Sequence, residues 1–120
     1  GRPILSIFAG APRAVPIAIS MMERHPLGAQ AFMPLSDHEW LVVVAPTNAD
    51  DSAPNFDGLR CFRARGDQGV TYAPNVWHHP LLVLQPQDFL IADRAGPEGE
   101  TGNPNLQEHW EDAPVAVVAV

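Results

Sequence analysis

Apolar residues fall in short blocks along this chain, and turn formers separate nearly every block from the next. Ile4 to Phe8 is the first block, closed by Ala9-Gly10-Ala11-Pro12, which predicts a strand and then a turn. Ile17 to Met22 lies between Pro16 and Pro26; a run this short fits helix or strand, and the close prolines favour a strand. Glu23 to Gly28 reads as a charged turn, Ala29 to Leu35 as a strand, and Ser36 to Glu39 as a hairpin-type loop. Trp40 to Ala45, WLVVVA, is aromatic and β-branched and apolar at both parities, as expected of a strand covered on both faces. A loop rich in Pro, Asn, Asp and Ser runs from Pro46 to Gly58. Leu59 to Ala64 follows as a strand with polar residues on one side, then the turn Arg65 to Gly69. Leu81 to Leu84 and Asp88 to Asp93 are further strands on either side of Gln85-Pro86-Gln87. Ala95 to Asn105 reads as coil. Val115 to Val120 either adds a strand or packs across a partner chain.

Thirteen prolines oppose long helices, because a proline inside a helix removes a hydrogen bond and clashes with the preceding turn. Short strands punctuated this often predict an all-β domain, an antiparallel sandwich or barrel. At 120 residues the chain makes a single domain, residues 1–120. It starts at Gly1 with a strand almost at once, so a further N-terminal segment is expected upstream. No apolar run approaches the roughly 20 residues of a membrane span.

Charge narrows the function. The seven basic residues are all arginine and the net charge is −7, which argues against nucleic-acid binding. The absence of lysine excludes Schiff-base catalysis and a P-loop lysine. The late acidic residues Glu98, Glu100, Glu108, Glu111 and Asp112 read as a solvated stretch. Cys61 is alone, which suits a reducing, cytoplasmic compartment; it reads as a structural strand residue ahead of a nucleophile.

The chemistry centres on Val70 to Pro80, VTYAPNVWHHP. Pro74 and Asn75 form a turn, Val76 and Trp77 start a strand, and two histidines follow. Alternation sends His78 and His79 to opposite faces, so one enters the interior and the other, expected to be His79, faces out. Tyr72 shares the parity of His78. A second stretch carries Glu23, His25 and Gln30; Glu23 and His25 share a face if the strand runs through them, and Arg24 points elsewhere. Each has a plain alternative: Glu23-Arg24 as a surface pair, His25 as a turn residue before Pro26, Gln30 as a strand hydrogen bonder, Asp93-Arg94 as a structural ion pair. Trp40 and Trp77 read as packing residues, and His38 and His109 carry no assignment.

The spacing of Glu23, His25, Gln30 and the later His78 resembles the two metal-binding motifs of cupin barrels in a degenerate form, with Glu in place of the first histidine and Gln in place of the glutamate. A closer resemblance covers about Ile4 to Trp110. MERHPLGAQAFMPL (Met22 to Leu35), GVTYAPNVWHHPL (Gly69 to Leu81) and DFLIADR (Asp88 to Arg94) resemble the ureidoglycolate lyase family. That resemblance implies a cupin-like double-stranded β-helix, or jelly roll, a cytoplasmic homodimer, and cleavage of (S)-ureidoglycolate to glyoxylate and urea. It implies Glu23, His25 and His78 as catalytic residues and Tyr72, Arg94, Arg24 and Gln30 as substrate contacts. A divalent metal such as nickel, if one is used, would fall to His25, His78, Glu23 and Gln30. The family's N-Y-H-R reads Thr71-Tyr72-Ala73-Pro74 here, so a histidine and an arginine are missing from the turn. That departure keeps open a cupin that binds small carboxylates without catalysis; a metal-dependent cupin oxygenase or isomerase is the third reading.

Overall fold

The β-branched and aromatic blocks become strands in the computed structural model, which describes residues 1–96 and 104–120. In chain order these are β1 (Arg2–Gly10), β2 (Ile17–Ile19), β3 (Met21–Arg24), β4 (Gln30–Pro34), β5 (Trp40–Ala45), β6 (Arg60–Ala64), β7 (Val70–Tyr72), β8 (Trp77–His78), β9 (Leu82–Val83), β10 (Gln87–Ala95), β11 (Gln107–Trp110) and β12 (Ala116–Val118). The one helical element among the described residues is a 3₁₀ turn at Phe56–Gly58, capped by the Asn55 side chain. No helix among those residues is long and apolar enough to cross a membrane.

The strands assemble into antiparallel sheets, as a cupin-like sandwich requires. One sheet has the order β1-β10-β4-β7. The other runs β11-β3-β8-β5-β6, with β9 also paired to β5, and β2 pairs with β12 in a small third sheet. WLVVVA explains the layering. Trp40 and Val42 face the first sheet, where they pack with Phe32, Tyr72, Phe89 and Ile91. Leu41, Val43 and Ala45 face the other way, against Trp77, Met22, Ile17, Ile19 and Val118. The central sheet is therefore covered on both sides.

That double cover corrects several expectations. His79 does not face water: it is buried, 8% exposed, with its Nδ1–H donated to the Pro80 carbonyl. The Ile17–Met22 run is not one strand. It breaks at Ser20, and its halves join different sheets. Ser36–Glu39 is not a hairpin loop, since β4 and β5 belong to opposite sheets and the loop crosses between them. The acidic stretch is solvated as expected where it is described: Glu108, Glu111 and Asp112 are exposed. Glu108 lies on β11, which pairs with β3, whereas Glu98 and Glu100 fall outside the described residues. Of the two readings of Val115–Val120, the added strand holds, as β12. Cys61, expected to be structural, is an exposed residue of the edge strand β6, and partial burial raises its thiol pKa.

Candidate functional site: two facing rows of side chains

Register alone lines up the site. In the central sheet Glu108 pairs with Glu23, Glu23 with His78, and His78 with Val44. Paired residues project to the same face. In the facing sheet Ile4 pairs with Asp93, and Gln30 pairs with Tyr72. Gln30 and Asp93 are joined by a hydrogen bond of 3.1 Å from Nε2 to Oδ2. Two cross-strand rows thus face each other across the end of the sandwich. Tyr72 closes the gap by stacking on His78, ring centroids 4.0 Å apart and 10° from parallel.

The turn before β8 sets the positions of both histidines. Asn75 adopts the left-handed conformation (φ 69°) after Pro74, and Val76 N–H closes the turn on the Ala73 carbonyl. The Asn75 N–H, freed by that turn, donates to the His25 carbonyl at 2.9 Å. The two distant motifs are therefore tied backbone to backbone. His25 and His78 lie with ring centroids 5.2 Å apart.

Each imidazole is pinned by a carbonyl, which can only accept. His25 Nδ1–H donates to the Asn105 carbonyl at 2.8 Å, and His78 Nδ1–H donates to the Val76 carbonyl at 2.9 Å. Both Nε2 atoms are buried without a partner. In a neutral ring so held, Nε2 carries the lone pair. Burial pushes the His78 pKa down to about 4, despite the Val76 bond, so this ring is neutral near pH 7. Its Nε2 faces Glu23 Oε1 at 3.7 Å, too far for a hydrogen bond. That pair reads as an ion pair only with His78 protonated, and the depressed pKa argues against it. Burial also raises the Glu23 pKa, opposed by His25 and reinforced by Glu108 and Asp93.

Glu23, His25 and His78 bring one ligand atom each within 4.8 Å of one another. Two ligands on opposite sides of a divalent ion, with bonds of about 2.1 Å, stand roughly 4.2 Å apart. Two unpartnered imidazole nitrogens and a carboxylate therefore suit a divalent metal after a small inward shift. Gln30 Oε1 is likewise buried without a partner.

The arginines do not behave as expected. Arg24 is buried on the far face of the sheet. It donates to Asp51 and to Gln107 Oε1 and lies 4.4 Å over the Trp77 ring. Its guanidinium is thereby committed to structure, so it is neither a surface partner of Glu23 nor a substrate clamp. Arg94 and Asp93 do not form a side-chain pair: Asp93 Oδ1 accepts the Arg94 backbone N–H, and Oδ2 accepts Gln30. Arg94 instead packs over Gly28 and Gly1 and lines a cavity of about 300 Å³ that it shares with Asp93. Its Nη1 is buried and unpartnered.

Asp93, Asn105 and Glu108 were not singled out as site residues. Asn105 lies 80 residues from His25, and no local pattern announces that its carbonyl will hold the ring. Glu108 is placed by the β11–β3 register, which needs β11 to be recognised first. An apolar cavity of about 620 Å³, lined by Val42, Val44, Phe62 and Val70, also reaches Tyr72.

The model of the ureidoglycolate lyase family matches residues 1–118. A ureidoglycolate lyase of Burkholderia mallei is 46% identical over 123 aligned residues, which cover 99% of this chain and 70% of that protein. The ureidoglycolate lyase of Agrobacterium fabrum is 52% identical over 117 residues, 97% of this chain and 65% of its own. That of Rhizobium etli is 47% identical with the same coverage, so this chain spans about two-thirds of the length of these relatives.

The buried neutral imidazole has a measurable consequence. The unfolded chain protonates His78 near 6.5, and the folded protein does so only near 4. As pH falls through that window the unfolded state binds the extra proton, so this residue withdraws up to about 3 kcal/mol of stability. Glu23, with its raised pKa, acts in the opposite sense, so the comparison must isolate His78. Denaturant melts of metal-free parent and His78→Asn should diverge between pH 6.5 and 4, the parent falling faster; parallel curves would contradict a neutral buried His78.

Proposed function

The chain belongs to the ureidoglycolate lyase family, and from that premise we propose that it cleaves ureidoglycolate to glyoxylate and urea. The observation that carries this reading is the set of unpartnered acceptor atoms, His25 Nε2 and His78 Nε2, beside a carboxylate of raised pKa. The reaction moves one proton from oxygen to nitrogen. His25 Nε2 accepts the proton of the substrate hydroxyl, the oxygen lone pair forms the aldehyde, and the carbon–nitrogen bond breaks. Glu23, in its protonated form, gives its proton to the departing urea nitrogen, and the proton held by His25 then restores it. A general base and acid placed in this way contribute on the order of 10²–10⁴-fold each.

His78 and Tyr72 supply the wall against which the reacting carbon is set. Arg94, the sequence-based choice for the substrate carboxylate, follows Asp93 in β10 and so leaves on the opposite face, into a cavity that Glu23, His25 and His78 do not line; we assign it no contact with the substrate. Glu23, His25 and His78 are the residues that would hold a divalent ion such as nickel. When bound it would polarise the substrate oxygens and offset their charge. Gln30, fourth in the sequence-based set, offers only a neutral oxygen to such an ion. The missing turn residues at Ala73 and Pro74 favour the second reading, a non-catalytic binder of small carboxylates.

We further propose a homodimer built on the outer face of the first sheet. Leu5, Ala92 and Ala31 form one row there, and Ile7, Leu90 and Met33 the next. Leu5 is 72% and Ile7 60% exposed. An uninterrupted apolar sheet face of this kind marks an association surface. A lone thiol without a disulfide fits the cytoplasm.

Coupled detection of glyoxylate from (S)-ureidoglycolate tests the activity. Glu23→Gln and His25→Ala should each lower kcat by about 100-fold or more with unchanged circular dichroism; an inactive, folded parent would leave the binding reading. Light scattering of the parent should give twice the chain mass, and Ile7→Glu should halve it; a monomeric parent would remove the dimer.

A further inference from the structure

We propose that Gln30 recognises the ureido group of the substrate by accepting its N–H, and that Asp93 is the positioning residue that turns the Gln30 amide for this role. The inference deepens the ureidoglycolate reading and rests on it. A glutamine side chain has a donating end and an accepting end, and its neighbours decide which faces the site. Here the decision belongs to Asp93. Its Oδ2 accepts from Gln30 Nε2 at 3.1 Å, and its Oδ1 accepts from the Arg94 backbone at 2.7 Å. The carboxylate is thereby held at both oxygens. A flipped amide would set Gln30 Oε1 against Asp93 Oδ2, acceptor against acceptor. The donating end is therefore spoken for, and Oε1 remains buried with no donor.

No donor of the described residues is hydrogen-bonded to that oxygen. The other unpartnered atoms beside it, His25 Nε2 and His78 Nε2, belong to rings whose Nδ1–H groups are already engaged by the Asn105 and Val76 carbonyls. Gln30 pairs in register with Tyr72, which stacks on His78, so its side chain belongs to the reacting row and not to the sheet exterior. A buried carbonyl oxygen without a donor costs about 1–3 kcal/mol, and a ligand N–H removes that cost. Of the reaction's two fragments, urea carries N–H groups and glyoxylate carries none. A buried group built to bond a substrate polar atom also discriminates strongly against ligands that lack it.

The test reads binding of the two product fragments separately, in the full chain, with ¹³C-labelled urea and ¹³C-labelled glyoxylate as probes and NMR line broadening as the signal. Gln30→Met keeps the length of the side chain and removes both amide ends; Gln30→Leu serves if that variant does not fold. Urea affinity should fall about tenfold, and glyoxylate affinity should change less than about twofold. Asp93→Ala should show the same asymmetry, and should add nothing to the urea loss in the Gln30→Met background, because it acts only through Gln30. Equal weakening of both probes, urea binding unchanged in Gln30→Met, or additive losses in the double variant would overturn the proposal. A parent that binds urea in this Gln30-dependent way but releases no glyoxylate from ureidoglycolate would sink the lyase reading and leave this one standing.

Discussion

Glu23 on β3 and His78 on β8 stand opposite each other because two short strands pair in one register, and the chemistry of the end of the sandwich follows from that pairing. A slip of one residue would turn both side chains to the Trp77 face, where Arg24 now lies. Register here is fixed from three directions. The apolar face of β3 and β8 must meet the Ile17, Ile19 and Val118 layer. Asn75 N–H reaches back to the His25 carbonyl, and Arg24 anchors the strand through Gln107 and Asp51. Arg24 thus acts at a distance from the chemistry: its burial keeps Glu23 pointing the other way.

The consequence is a small volume in which acceptors outnumber donors. His25 Nε2, His78 Nε2 and Gln30 Oε1 are all buried and unpartnered, with the Glu23 carboxylate beside them. Left to itself such a set is unfavourable, since each unpaired buried polar atom costs about 1–3 kcal/mol. The imbalance is what a ligand bearing N–H and O–H groups, or a cation, would relieve. Burial in the same volume makes the Glu23 carboxyl hold its proton more tightly than a free glutamate and makes His78 give its proton up.

Much of this was legible in the chain. WLVVVA reads as β5 with both faces covered, and the two motifs name Glu23, His25, Tyr72 and His78, which do come together, although β3 ends at Arg24 and Tyr72 and His78 lie on different sheets, so alternation alone does not join them. The limits were physical. Alternation says that His78 and His79 point apart, but not that the sheet has a layer on each side, so His79 came out buried. Arg24 reads as a surface charge until β11 and the Asp51 loop are in place to receive its N–H groups. Asp93 followed by Arg94 looks like an ion pair on paper. In a strand, neighbours leave on opposite faces, and Asp93 turns to Gln30 instead. Contacts closed over 80 residues, such as Asn105 with His25, leave no local signature.

The account stands or falls on where the proton of one ring sits. Nitrogen-15 spectra of selectively labelled, metal-free protein near pH 7 report the tautomer of His78 without reference to turnover. A neutral ring protonated at Nδ1 with a bare Nε2 is the expected result. An imidazolium, or a ring protonated at Nε2, would mean that the His78 lone pair does not face Glu23 and would contradict the set of converging acceptors described here.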